Sequence, residues 1–251
     1  MFASVPMKYA PIAFLFVTST ATAEVPTRTP GTPGTPGTPG TPGAPGKITG
    51  AVLYEGVAPV RKDVVRDTDP YCKSPVLADD LIVTKGKLKD VFVRIKNPPA
   101  GSAPPPRPIL DQKDCTYSPR LVAVAPGSKI AVRNSDGTFH NVNGSIKGKL
   151  LWNKPMAAKD PDLALDATAK AGDIIDLVCN VHPWMQAYAV TVDHAYFAIT
   201  GEDGTFTIGN LPPGSYTLEA WHPKLGTRTL EIKIGTGSKA TVPARIGYKV
   251  D

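Results

Sequence analysis

From Lys47 onward, proline or glycine interrupts the chain every few residues, and no interval between the breaks carries a helical period. Of 251 residues, 27 are proline and 23 are glycine. Proline fixes φ and removes a backbone donor, while glycine enters turn conformations that other residues avoid. Short strands joined by turns tolerate that punctuation, and long helices do not. The intervals ITGAVLYEG, LKDVFVRIK, AKAGDIIDLVC and MQAYAVTV alternate or are rich in β-branched residues, as strands are. YSPRLVAVAPGSKIAVRNSD reads as strand, turn at Pro126-Gly127-Ser128, and strand. Lys147 to Ala169 lacks clean periodicity and is expected to wander as a loop with one short helical turn. After about Asp193, strands are separated by Glu-Asp-Gly, Asn-Leu-Pro-Pro-Gly and His-Pro turns. The expected fold class is all-β, with the strand spacing of a sandwich.

Residues 1–23 have the form of an export signal: Lys8, the apolar run Ala10 to Val17, and Ala21-Thr22-Ala23 before Glu24. That run is far short of the ~20 residues that span a bilayer, and no later segment is long and apolar enough, so no stable membrane insertion is expected. The location implied is periplasmic, secreted or cell-surface. Residues 24–46 contain the repeat TPGTPGTPGTPGTPGAPG, too short for a stable collagen triple helix and suited to an extended tether. The formal charge of +6 is spread without a long basic run. Nucleic acid is therefore a poor partner, and an acidic protein or anionic surface is preferred.

An exported chain can keep disulfides, and this one has three cysteines, Cys72, Cys115 and Cys179, so one is left over. Cys179 opens the segment C-N-V-H-P-W-M, which sets a thiolate, an imidazole (His182) and a thioether (Met185) at i, i+3 and i+6 between two strands. A tight loop there can bring all three to one point. His140, after the strand KIAVRN in N-S-D-G-T-F-H-N, supplies a second imidazole. Sulfur and imidazole together suit copper in a His₂Cys site with a long axial methionine. Zinc gains little from methionine. A Cys–His nucleophile would leave Met185 without a role and has no other catalytic group nearby, so no enzyme is expected. The bland alternatives are a buried thiol and a loop histidine. His194 and His222 read as surface or hydrogen-bonded turn residues, and Trp152 and Trp221 as core or turn packing.

N-S-D-x-x-x-H-N followed by C-x₂-H-P-x-M resembles the cupredoxins, the plastocyanin and amicyanin group of blue-copper proteins, over roughly Tyr117 to Val192. The resemblance implies a Greek-key β-sandwich carrying one type 1 copper ion. His140, Cys179 and His182 would be the strong ligands, Met185 the weak axial one, and Asn141 a residue that steadies the site. DGTFTIGNLPPGSYTL resembles the hallmark of carboxypeptidase regulatory-like domains, which are small transthyretin-like β-sandwiches. The expected organisation is a signal (1–23), a linker (24–46), a cupredoxin-like domain with an N-terminal β extension (47–192) and the regulatory-like sandwich (193–251). Strand 47–56 is free to join either domain. With Cys179 taken by copper, Cys72 and Cys115 remain to pair as a disulfide, two free buried thiols being the alternative. The function implied is single-electron transfer to a redox protein partner by a monomer. The competing readings are copper storage, delivery or sensing and, more remotely, an adhesive or sugar-binding module. In the cupredoxin arrangement His182 would show its ring edge at the surface within an apolar rim formed by Pro183 and Trp184, or Trp184 would turn inward against the C-terminal domain.

Overall fold

The computed structural model describes residues 45–236 and 241–249. The expected signal and nearly all of the tether lie outside the described residues. Within them every regular element is a strand, apart from one 3₁₀ turn at Pro70–Cys72. No helix among them is long and apolar enough to cross a membrane.

The strands form two sandwiches. In the first, one sheet orders Lys149–Met156, His140–Ile146, Ile174–Val178, Gln186–Thr191 and Leu121–Val124. The other orders Leu163–Asp166, Lys129–Asn134, Ile109–Lys113 and Thr116–Ser118. Between them lies a core that includes Leu110, Val124, Ile130, Val132, Ile175 and Leu177. In the second sandwich Gly46–Glu55 is central, antiparallel to Thr205–Leu211 and parallel to Thr241–Lys249. Its facing sheet orders Phe197–Ile199, Phe92–Ile95, Gly214–His222 and Gly226–Ile234, around Ile48, Val93, Leu218 and Ile246.

The period of two explains how the sandwiches meet. All four residues of Leu121–Val124 are buried. Val122 and Val124 point into the first core, while Leu121 and Ala123 join Phe92, Tyr188, Val190 and Val192 in a third apolar cluster. Gln186–Thr191 does the same: Ala187 and Ala189 face the first core, Tyr188 and Val190 the seam. A strand covered on both faces must be apolar at successive positions, as LVAV is.

Two expectations need correction. The stretch Lys147 to Ala169 is not a loop with a helical turn, because Lys149–Met156 and Leu163–Asp166 are strands. Lys149–Met156 lies at a sheet edge with most side chains outside the core, so selection for alternation is weak and Pro155 is tolerated. The boundary near residue 193 also fails to describe the strand pairing. Gly46–Glu55, Val83–Thr84, Lys87–Leu88 and Phe92–Ile95 all belong to the sheets of the second sandwich, which is therefore discontinuous. Only the first of these was left open by the sequence.

Candidate metal centre

His140 begins the strand His140–Ile146, and Cys179 directly follows Ile174–Val178, its neighbour in the same sheet. Continued one step, the register that pairs Val178 with Asn143 sets Cys179 opposite Val142, with His140 two residues further along on the same face. The loop after Cys179 is closed by its own backbone: Met185 N–H donates to His182 O at 2.9 Å, and Cys179 N–H donates to Met185 O at 3.2 Å. Asn141 ties the loop to the neighbouring strand. Its Oδ1 accepts from Asn180 N–H at 2.7 Å and lies 3.4 Å from Cys179 Sγ. Tyr117 OH donates to Asn141 O at 3.0 Å.

The donor atoms converge. His140 Nδ1 and His182 Nδ1 are 2.8 Å apart, and Cys179 Sγ is 3.8 Å from His182 Nδ1. One ligand atom from each of the three lies within 4.8 Å of the others. Relative exposure is 0% for both histidines, 2% for Cys179 and 1% for Met185. Met185 packs in the same core cluster as Cys179.

The outer nitrogens are held by carboxylates. Asp136 Oδ2 lies 2.8 Å from His140 Nε2, and Asp69 Oδ2 lies 3.0 Å from His182 Nε2. An ionised carboxylate only accepts, so each Nε2 carries a hydrogen, and a neutral ring then turns its Nδ1 lone pair inward. Two lone pairs 2.8 Å apart repel unless a proton or a metal ion lies between them. Burial pushes the His140 pKa below its ordinary value, opposed by the hydrogen bond to Asp136, so a metal competes with a weakened proton. Two buried imidazoles, a thiol and a thioether fit copper by donor softness. Zinc would be better served by a fourth nitrogen or thiolate than by Met185.

The structure brings His140, Cys179 and His182 together with Met185 on the same loop, and joins Cys72 to Cys115 by a disulfide. It does not show His182 at the surface. Its ring is covered by the Asp69–Cys72 turn, with Cys72 Sγ 3.7 Å from Nε2. Trp184 forms no free apolar rim, nor does it pack on the second sandwich. Its indole N–H donates to Cys115 O at 2.9 Å, and the Arg66 guanidinium stacks over it. The exposed apolar side chains beside the centre are instead Tyr71, Phe139 and Val181, each next to a ligand or a disulfide cysteine.

Asp136 and Asp69 were missed from sequence. Asp136 had a local signal, four residues before His140 in N-S-D-G-T-F-H. It also accepts from Asp114 and Cys115 N–H, which fixes the turn that carries it. Asp69 had none, because it lies 113 residues from His182. His194 and His222 each accept a backbone N–H two residues on, as turn histidines do.

A family model described as the ER membrane protein complex subunit 7 β-sandwich domain matches residues 180–250. It is that description, and not the carboxypeptidase regulatory-like one, that matches the C-terminal part. No curated protein matches the chain. Among solved structures, a novel purple cupredoxin from Nitrosopumilus maritimus is 20% identical, covers 33% of this chain and 97% of its own, and has a TM-score of 0.27. A mutant of amicyanin in the Cu(I) state is 17% identical over 39% of this chain and 97% of its own, with a TM-score of 0.30. A Cu-containing nitrite reductase from Thermus scotoductus is 12% identical over 55% of this chain and 27% of its own, with a TM-score of 0.28.

Proposed function

We propose that this chain is a copper protein of the cupredoxin type that passes single electrons. The observation that carries the reading is the convergence of His140 Nδ1, His182 Nδ1 and Cys179 Sγ in a buried cluster, on a loop that the backbone of Met185 closes. His140, Cys179 and His182 would hold the ion, with Met185 as a weak axial ligand. The ion would supply a one-electron couple. The protein would supply a ligand set fixed by strand register, backbone hydrogen bonds and carboxylates, so that little has to move when the charge changes.

Burial favours this reading over copper storage or delivery. A cargo site must let its ion leave, and here all four donors are at most 2% exposed. Burial also weighs against an enzyme, because a substrate would have to reach donors that are at most 2% exposed. The partner is then another redox protein, an acidic one being favoured by the charge of +6. Work outside the cytoplasm, as a periplasmic or cell-surface monomer, agrees with the export signal read from the first 23 residues and with the disulfide.

The test is an absorption spectrum of purified protein titrated with Cu(II). An intense thiolate-to-copper band is expected in wild type and in Met185→Leu, the latter with a shifted potential, and no such band in Cys179→Ala. An intense band that survives Cys179→Ala overturns the assignment.

A further inference from the structure

The segment from Gly56 to Asp80 carries one isolated bridge, Asp63 to Leu77, and the single turn Pro70–Cys72. Such a segment has little structure of its own, yet it is tied to the metal centre at several points. The Cys72–Cys115 disulfide joins it to the first sandwich. Arg66 donates to Cys72 O at 2.7 Å and to Asp114 O at 3.0 Å. Asp69 is the most constrained of all. Its Oδ1 accepts from Tyr71 N–H at 2.8 Å, and its Oδ2 accepts from Thr138 Oγ1 at 2.7 Å and meets His182 Nε2 at 3.0 Å.

From this geometry we infer that Asp69 is a positioning residue for the metal centre, carried on a cap that the disulfide latches over His182. The inference rests on the copper reading and extends it to the regulation of that site. Two consequences follow from the chemistry. A carboxylate on Nε2 selects the tautomer that turns Nδ1 toward Cys179 and makes that nitrogen a stronger donor, as partners of metal-bound histidines do. Its charge also favours the oxidised ion over the reduced one. Cys179 as thiolate, Asp69 and Asp136 together bring three negative charges, against two positive for Cu(II) and one for Cu(I). Each carboxylate therefore stabilises Cu(II) more than Cu(I) and lowers the potential, the buried Asp136 more than the partly exposed Asp69.

Two variants separate the hydrogen bond from the charge. Asp69→Asn can keep an acceptor for His182 and Thr138 while giving up the bond from Tyr71 N–H, and it removes the charge, whereas Asp69→Leu removes acceptor and charge. In metal-free protein, long-range ¹H–¹⁵N correlation should find His182 as the Nε2–H tautomer in wild type and Asp69→Asn, and a mixture in Asp69→Leu. Copper affinity in Asp69→Leu should fall 10–100-fold. In copper-loaded Asp69→Asn the ratio of Cu(I) to Cu(II) affinity should rise at least tenfold, which is about 59 mV upward for one electron, with the thiolate band retained. A merely structural cap would move neither tautomer nor potential. The inference is overturned if His182 keeps one tautomer in a folded Asp69→Leu, or if Asp69→Asn changes the affinity ratio less than twofold. Failure of the copper reading shows differently: wild type itself forms no thiolate band, and the metal-free tautomer result then decides the role of Asp69 alone.

Discussion

Replacing Cys72 and Cys115 together by alanine opens a cross-link that closes 43 residues of chain. Alanine is the better choice because both positions are at most 1% exposed, and a serine hydroxyl there would be buried without a designed partner. In the loop-entropy relation, closing 43 residues removes about 13 cal/mol/K from the unfolded chain, or about 4 kcal/mol at 25 °C. Domains of this kind hold about 5–15 kcal/mol in all, so the loss is a large share. With a urea slope of about 2 kcal/mol/M, the midpoint should fall by about 2 M. The assay is urea unfolding followed by tryptophan fluorescence, since Trp152 and Trp184 both pack against the first core. A loss under about 1 kcal/mol at an unchanged slope would refute the reasoning. It would mean that the unfolded chain already keeps Cys72 near Cys115.

Two further outcomes can be stated. His222 is 1% exposed and burial lowers its pKa to about 4, against an ordinary value of 6.5. The fold holds the neutral form, so this contribution is complete above pH 6.5 and is lost as pH falls through 4, costing about 3 kcal/mol below it. His222→Gln should flatten that acid limb, and an unchanged pH profile of urea midpoints would count against the assignment. A Cβ at Gly144 would lie 2.5 Å from the Trp152 ring, whose indole N–H donates to Asp166 O. Gly144→Ala should cost about 1–3 kcal/mol by overpacking, and an unshifted calorimetric midpoint would show that the ring moves aside freely.

What the sequence disclosed was what is local. Alternation in DIIDLV placed the strand that leads into Cys179, because it faces a core and period two shows, whereas the strand His140–Ile146 was not read and only KIAVRN, in the facing sheet, pointed to its neighbourhood. The ligand loop was legible for the same reason: three donors within seven residues need no long-range knowledge to be read as one site. The edge strand Lys149–Met156 was illegible because its exposed side chains obey no period. Phe92–Ile95 read as a strand, but its partner Gly214–His222 lies more than a hundred residues on, and no residue in either names the other. Asp69 was hidden in the same way. The exposed His182 edge failed as an expectation because a segment without regular strands, invisible to periodicity, covers it.

The discontinuous second sandwich has a consequence in time. All nine strands of the first sandwich come from one continuous stretch, Ile109 to Thr191. The strand Gly46–Glu55, by contrast, pairs along its length with Thr241–Lys249. That partner is made about 190 residues later, roughly 10–40 s at ordinary synthesis rates of about 5–20 residues per second. The half that carries the candidate metal centre can therefore close while the other half is still waiting for its last strand. Leu121, Ala123, Tyr188 and Val190 would then stand ready as a finished wall against which Phe92, Phe197 and Trp221 assemble. The early strand meanwhile spends its first seconds as an unpaired, apolar edge. A delay in synthesis after residue 193 would lengthen that exposure and leave His140, Cys179, His182 and Met185 untouched.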